Sequence, residues 1–406
     1  MMKTLLDRLS EKEAWLEFQR YKTDRNQLNR NELKQLESFI REERYLRITE
    51  SFSFSYPTKK QITKLGSAKK RIVYSYSEDE TWVLKLLAYL LYRYDEKISE
   101  NCFSFRRKMT AKTAFDRIRR IPDLDQRYVL KLDIHDYFNS IDVDQLLEML
   151  KGIIDDDPAL YDFLAGLLRQ NRCIWNEETI EEKRGAMAGV PLASFFANVY
   201  LLDLDRYYEG KGIPYFRYSD DMILFFENEE QLKENEIFLE DFLQHKKLTL
   251  NKEKYRISTP GQAWDFLGFT YSAEGIDLSA ATVEKMKGKI RRKARRLYRQ
   301  RKTKGLSYEK SARAMIRCFD QKFYDLTGKG DFTWIRFYFP VITCDKGLEE
   351  IDRYMVEYLR YLHSGRHYKG NYAIQYETLK KLGYTPLKAE YYRWKKENEM
   401  LNKKPS

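Results

Sequence analysis

The chain has 406 residues, 43% hydrophobic and 33% charged, with 74 Lys and Arg against 62 Asp and Glu for a net charge of +12. That length can bury a large core split over two or three subdomains, and the basic excess favours a polyanion partner, nucleic acid foremost. No apolar run approaches the roughly 18 residues of a membrane helix, Met1 to Phe18 is charged with no secretory core, and Cys102, Cys173, Cys318 and Cys344 form no C-x-x-C pair, so a cytoplasmic protein with no membrane partner, no zinc and free thiols is expected.

Taken in chain order, residues 1–50 read as helices. Leu5, Leu6, Leu9, Trp15, Leu16 and Phe18 mark one face, and Leu33, Leu36, Phe39, Ile40 and Tyr45 a second, with Asn29 or Asn31 as its cap. Residues 51–76 read as a β-ribbon: Ser51 to Pro57 alternates and ends at a proline, and Ile72 to Tyr76 follows the basic cluster Lys69-Lys70-Arg71. Glu78 to Tyr94 and Thr110 to Arg120 are helical in period. Val129 to Ile134 reads as a buried strand with Asp133 near its end. Asp144 to Leu150 and Ala159 to Leu168 follow as helices. A glycine-containing segment from Arg184 leads into one apolar helix, Ser194 to Leu204.

Ile213 to Phe216 and Met222 to Phe226 are apolar runs on either side of Tyr218-Ser219-Asp220-Asp221, a strand–turn–strand pattern with acids at the turn. A helix over Glu229 to Leu243, a turn plus strand over Leu248 to Ile257 and a short strand pair over Trp264 to Tyr271 come next. From Ala280 the chain is helical and very basic, with no clean apolar face over 285–304. Trp334 to Pro340 and Ile351 to Leu362 read as packed structure, and Glu397 to Ser406 as a frayed tail. The four histidines share no spacing with acids or cysteines and carry no catalytic role here.

Two adjacent carboxylates at a hairpin tip and a third at another strand end, on a basic protein, are what a two-metal phosphoryl-transfer site requires. The competing reading, a solvated turn plus a helix cap, weakens as further motifs accumulate. Lys70-Arg71 before Ile72-Val73, Ser104-Phe105-Arg106, Leu132 to Phe138, Gly185 to Leu201, Tyr218 to Asp221, Leu250 to Lys254 and Phe266 to Phe269 follow one another in the order of a reverse transcriptase. The chain resembles that family from about Lys69 to Tyr271, in the bacterial form related to group II intron and retron enzymes.

The resemblance implies an α+β right-hand polymerase, with an N-terminal helical region (1–50), fingers (51–127), palm (128–275) and a basic helical thumb with the C-terminal region (276–406). It implies an RNA-directed DNA polymerase that uses dNTPs, an RNA template and two Mg²⁺, and makes DNA. Asp133, Asp220 and Asp221 would be catalytic and hold the metals, with the Ile134 carbonyl as a further ligand. Lys70 and Arg71, helped by Lys69, would meet the triphosphate. Phe138 would exclude a 2′-hydroxyl, Gly189 would let the backbone approach the nucleotide or template, and Lys254 would face the leaving pyrophosphate. Arg106, Phe266, Gly268, Lys289, Arg292, Arg295, Arg296 and Arg299 would bind nucleic acid.

The chain departs from the intron and retron pattern at Ala188, where those enzymes carry Gln. It also lacks a Val-Thr-Gly in the thumb and a Gly-containing motif before the fingers. These features are closer to the stand-alone bacterial reverse transcriptases of antiphage defence, several of which act with a noncoding RNA. An intron maturase or retron enzyme, and an inactive RNA-binding scaffold on the same fold, are the alternatives.

Overall fold

A computed structural model describes residues 4–25, 27–63, 70–324 and 333–402. Lys69, expected beside the triphosphate, lies outside the described residues. The chain forms two compact units, one of Met1–Asp24 with Leu28–Gln262, the other of Arg25–Gln27 with Ala263–Ser406.

The first unit opens with helices α1 (Lys12–Asp24), α2 (Arg30–Arg41) and α3 (Arg44–Thr49). Asn29 caps α2 in a reciprocal box with Glu32, which decides between the two candidate asparagines. The expected ribbon starts later than its alternation indicated. Its strands are β1 (Thr58–Thr63) and β2 (Lys70–Ser75), paired antiparallel, while Ser51 to Pro57 is not a strand. The Ser55 amide and hydroxyl bind the Glu80 carboxylate, so this backbone is satisfied by a side chain and not by a ladder.

After α4 (Glu78–Leu90) and α5 (Ala111–Ile118) comes β3 (Tyr128–Asp133), then the short α6 (Tyr137–Ser140), α7 (Val143–Ile153) and α8 (Pro158–Arg169). A hairpin the sequence reading missed, β4 (Arg172–Trp175) and β5 (Glu178–Glu181), extends the ribbon into a sheet of order β2-β1-β4-β5. The single apolar helix expected after the glycines is two, α9 (Ala193–Tyr200) and α10 (Leu202–Lys211), broken at Leu201.

Strands β6 (Tyr215–Tyr218) and β7 (Asp221–Phe226) form the acidic hairpin, α11 (Glu229–His245) follows, and β8 (Arg256–Ser258) closes a sheet of order β6-β7-β3-β8. Side chains alternate across this sheet. Leu130 and Leu132 of β3 with Met222, Leu224 and Phe226 of β7 belong to the main buried cluster, with helical residues such as Leu146, Leu150, Phe196 and Val199. The opposite set, Val129, Lys131 and Asp133 facing Phe225, Ile223 and Asp221, forms the other face.

The second unit holds β9 (Trp264–Phe266), β10 (Phe269–Ser272) and β11 (Gly275–Leu278) in one antiparallel sheet. Leu267 and Gly268 both have positive φ, 49° and 87°, the two-residue turn whose twist suits a hairpin. Helix α12 (Ala280–Lys304) does have an apolar face, contrary to the sequence reading. Val283, Met286, Ile290, Ala294 and Leu297 are buried at helical spacing, a stripe masked in the sequence by the cations between them. Helices α13 (Tyr308–Phe323), α14 (Trp334–Phe337), α15 (Lys346–Ser364), α16 (Tyr376–Lys381) and α17 (Leu387–Asn402) complete the unit. The tail read as frayed continues as helix to Asn402.

Candidate active site

The register of β3 on β7 places Asp133 directly opposite Asp221, and directly paired residues have Cα atoms roughly 5 Å apart. Asp220 is in the turn, with its carbonyl accepting from the Ile134 amide at 3.2 Å. Ile134 is buried and bridged to Leu250, so the end of β3 is held from both sides. Ser219, at φ 62°, makes the turn.

Like charges opposite one another across a sheet repel, and the acidities reflect this. Burial, then the Asp133 charge, pushes Asp220 up, moderated by Lys254 and Arg71. Burial pushes Asp221 up to about 6; Lys131 opposes this, and Asp133 and Asp220 add to it. Lys131 Nζ approaches Asp221 Oδ1 to only 3.8 Å, and that buried oxygen has no hydrogen bond. Asp133 is held by Asn251, whose Nδ2 donates to Oδ1 at 2.9 Å, and by the Lys254 ammonium on Oδ2. Among the described residues no three acidic, His or Cys side chains form a closed metal cluster. The donor chemistry nonetheless fits a hard divalent cation: oxygen ligands on fixed strand ends, excess negative charge, and an orphaned carboxylate oxygen.

The turn rests on a buried polar network that sequence reasoning missed. Arg217 and Asp205 are both fully buried. Arg217 Nε and Nη2 donate to the two Asp205 oxygens at 2.7 and 2.5 Å, and Nη2 also to the Asn198 carbonyl at 3.2 Å. The Tyr215 hydroxyl donates to Asp205 Oδ1 at 3.0 Å. Ser104 Oγ accepts from the Ser219 amide at 2.9 Å and donates to Asn198 Oδ1 at 3.1 Å. Phe103 N and Arg217 O add a 2.8 Å backbone link. The Ser104 and Asn198 motifs thus converge as the underside of the acidic turn. The available signal was Arg217 itself, a cation in an apolar strand and in phase with Tyr215, which demands a buried acid.

Around the carboxylates, Asp136 at φ 43° turns the chain into α6, so Tyr137 and Phe138 stand on a helical turn. Phe138 is half-buried, with the Arg71 guanidinium 5.9 Å from its ring and the exposed Phe105 ring 6.5 Å away. Lys70 and Arg71 are exposed at the start of β2. Gly185 and Gly189 both have positive φ, and a side chain at either would strike backbone: Phe138 O at 2.6 Å for Gly185, Tyr74 O at 2.9 Å for Gly189. Gly189 therefore clears space for the β2 backbone, where Tyr74 N donates to Ala188 O at 2.7 Å.

Arg106 also has a different task from nucleic-acid contact. Its guanidinium donates to the Ser99, Cys102 and Asp95 carbonyls and braces its loop. In the second unit Phe266 is 1% exposed, a core ring unable to stack on a base. The Gly268 carbonyl accepts from Ser279 N and Thr282 Oγ1, tying the β9–β10 turn to the first residues of α12, which Ser279 caps. Arg292, Arg295, Arg296 and Arg299 are exposed on α12 without ion-pair partners among the described residues, and Lys289 is half-buried. Burial, then the charges of Lys322, Lys285 and Arg292, holds Lys289 below the usual lysine range, so this end of α12 is a crowded cationic patch.

The family model described as "Reverse transcriptase (RNA-dependent DNA polymerase)" matches residues 58–271, more than half of the chain. No curated protein matches. Among solved structures the chain is similar to apo telomerase from Candida Tropicalis, at 12% identity and TM-score 0.47, over 84% of this chain and 69% of that one. A C-terminally truncated form matches at 14% identity and TM-score 0.46, over 56% of this chain and 55% of that one. Telomerase from Candida albicans with a TWJ fragment of telomeric RNA matches at 12% identity and TM-score 0.45, over 81% of this chain and 62% of that one. The chain spans about half the length of the truncated telomerase.

Proposed function

Because the chain belongs to the reverse transcriptase family, we propose that it is an active RNA-directed DNA polymerase working with a cognate noncoding RNA. The fold is the α+β polymerase fold of that family. The observation that carries the proposal is the pairing of Asp133 with Asp221, with Asp220 at the adjoining turn. In the reaction, a primer 3′-hydroxyl, or a protein hydroxyl, attacks the α-phosphate of a dNTP. A new oxygen–phosphorus bond forms, the bond to the β-phosphate oxygen breaks, and pyrophosphate leaves.

Two Mg²⁺, when bound, supply acidity at the attacking hydroxyl and charge neutralisation at the leaving oxygen. Asp133, Asp220, Asp221 and the Ile134 carbonyl would hold them. Lys70 and Arg71 meet the triphosphate, Lys254 stands by the departing pyrophosphate, and Phe138 lies under the sugar and selects deoxynucleotides. The exposed cations of α12 track phosphates without reading sequence. On this reading fingers, palm and thumb occupy 51–127, 128–275 and 276–406. A role in antiphage defence is part of the proposal, supported by the Ala188-Gly189 motif and the absent thumb Val-Thr-Gly.

Purified protein given an RNA template with annealed primer, Mg²⁺ and labelled dNTPs is expected to make DNA. The Asp220→Ala, Asp221→Ala double variant is expected to lose incorporation by a thousandfold or more, on the order of several kcal/mol of charge stabilisation. Incorporation surviving in that variant rejects the site. Sequencing the RNA that copurifies tests the rest: a short noncoding RNA fits the proposal, and an intron or a branched RNA–DNA molecule rejects it.

A further inference from the structure

The second unit contains a cavity of about 800 Å³ between α15, the loop after it and the start of α17. That is the size range of a small-molecule or nucleotide site. Two tyrosines of the loop, Tyr368 and Tyr372, line it and are 54% and 63% exposed. Large aromatic rings left in water at a cavity mouth need an explanation.

The loop that presents them is rigid. The buried Asn371 ties it together: its Oδ1 accepts from Ser364 Oγ at 2.8 Å, and its Nδ2 donates to the Arg366 carbonyl at 2.6 Å. Its start is fixed to α12, where Tyr298 OH donates to Ser364 O at 2.9 Å and Arg301 Nη1 to Leu362 O at 2.7 Å. Gly365, at φ 75°, has the Tyr298 ring where a side chain would be. Arg360 stacks its guanidinium 4.9 Å from the Tyr372 centroid and donates to Ile374 O, which orients that ring. The Tyr372 ring is therefore held in place, and Tyr368 stands on the same braced loop.

The charges at the cavity have a direction. Its carboxylates all have partners: Glu349 pairs with Lys388, Glu357 lies 2.7 Å from His367 Nδ1, and Asp352 accepts from the Leu387 and Lys388 amides and the Tyr384 hydroxyl. Arg353 and Lys369 have no ion-pair partner among the described residues. What remains open to a ligand is cation plus aromatic face, the combination that holds single-stranded nucleic acid.

We propose that this cavity is a stacking site for unpaired nucleotides of the RNA. Tyr368 and Tyr372 take the bases, and Arg353 and Lys369 the phosphates. The proposal rests on the reading that the enzyme copies RNA. The occupant is RNA and not product because the DNA product leaves paired to its template, so its bases are not free to stack.

The test uses the full chain and a labelled, unstructured RNA of about 12 nucleotides, within the usual site size for single-strand binders. Tyr368→Ala and Tyr372→Ala are each expected to weaken binding about tenfold, while the Phe variants at both positions keep it. Binding of a duplex RNA hairpin, and extension of a pre-annealed primer–template at saturation, should be unchanged. In a stalled complex, 4-thiouridine in the unpaired template should crosslink to the peptide holding Tyr368 and Tyr372.

Binding of single-stranded RNA by the double Ala variant within about twofold of the parent overturns the proposal. So does a Phe variant that loses as much as Ala, or crosslinking from the DNA product in place of the template. If the parent makes DNA while the tyrosines prove irrelevant, the stacking site alone fails. If tyrosine-dependent RNA binding persists in a protein that makes no DNA, the polymerase reading fails and the stacking site stands.

Discussion

Asp205 and the pair Asp220–Asp221 belong to one small region, yet they are treated oppositely. Asp205 is fully buried and fully satisfied, by two guanidinium nitrogens of Arg217 and the Tyr215 hydroxyl. Asp220 and Asp221 face Asp133, hold their protons more tightly than an ordinary carboxyl, and include an orphaned oxygen. The lower acid is completed by the chain itself and sets geometry. The upper acids are left incomplete, as the proposed metal-binding role requires of them. A folded protein keeps such repulsion only where the scaffold beneath over-determines the shape.

The largest effect is expected from Arg217→Met, which would leave Asp205 buried and unpaired. It should lower stability in urea unfolding by about 3–5 kcal/mol. Adding Asp205→Leu should recover most of that stability but not the DNA synthesis. Full activity in the stable double variant would break the claim that this pair sets the turn. Ser104→Ala removes the acceptor of the Ser219 amide and is expected to cost about 1–3 kcal/mol by the same measurement, with a fall in turnover.

Asp221→Asn should act with the opposite sign. Relieving the cross-strand repulsion should raise the stability of the protein in EDTA by about 0.5–1 kcal/mol while abolishing incorporation. A destabilised Asn variant would mean the upper acids are as well satisfied as the lower one.

Asp320 on α13 extends the comparison to the second unit. Burial, then Glu390, pushes it up to about 6. A carboxyl whose folded value lies above its unfolded one favours folding in acid, and this contribution is lost as pH rises from about 4 through about 6. Asp320→Asn should therefore raise stability at pH 8 by about 1 kcal/mol after allowing for its half-exposure, read as a higher thermal midpoint, with no gain near pH 4. A gain that is the same at both pH values would reject burial of charge as the cause.

Legibility in the sequence varied by element. The acidic hairpin, β3, the helices α2, α5 and α8 and the loop carrying Lys254 were readable because each has its own period or cap. The β4–β5 hairpin was not, since Cys173-Ile174-Trp175 is too short an apolar run and Glu178 to Glu181 too polar to show a strand period. The apolar face of α12 was hidden by the cations that occupy most positions between its buried residues. Gly189 showed that backbone had to come close there, and only the fold showed that the neighbour is Tyr74. Arg106 and Phe266 stood in motifs associated with nucleic acid, yet one braces carbonyls and the other fills the core.

By itself the sequence determined which residues the proposal rests on: three aspartates at or beside strand ends and the basic residues before Ile72, since residue type and local period are written in one dimension. Tertiary structure decided the pairing of residues 133 and 221 and the burial of Arg217 against Asp205. It also decided which rings and cations face outward. Those outcomes depend on which distant segments meet, and on whether a polar group finds its partner once water is removed.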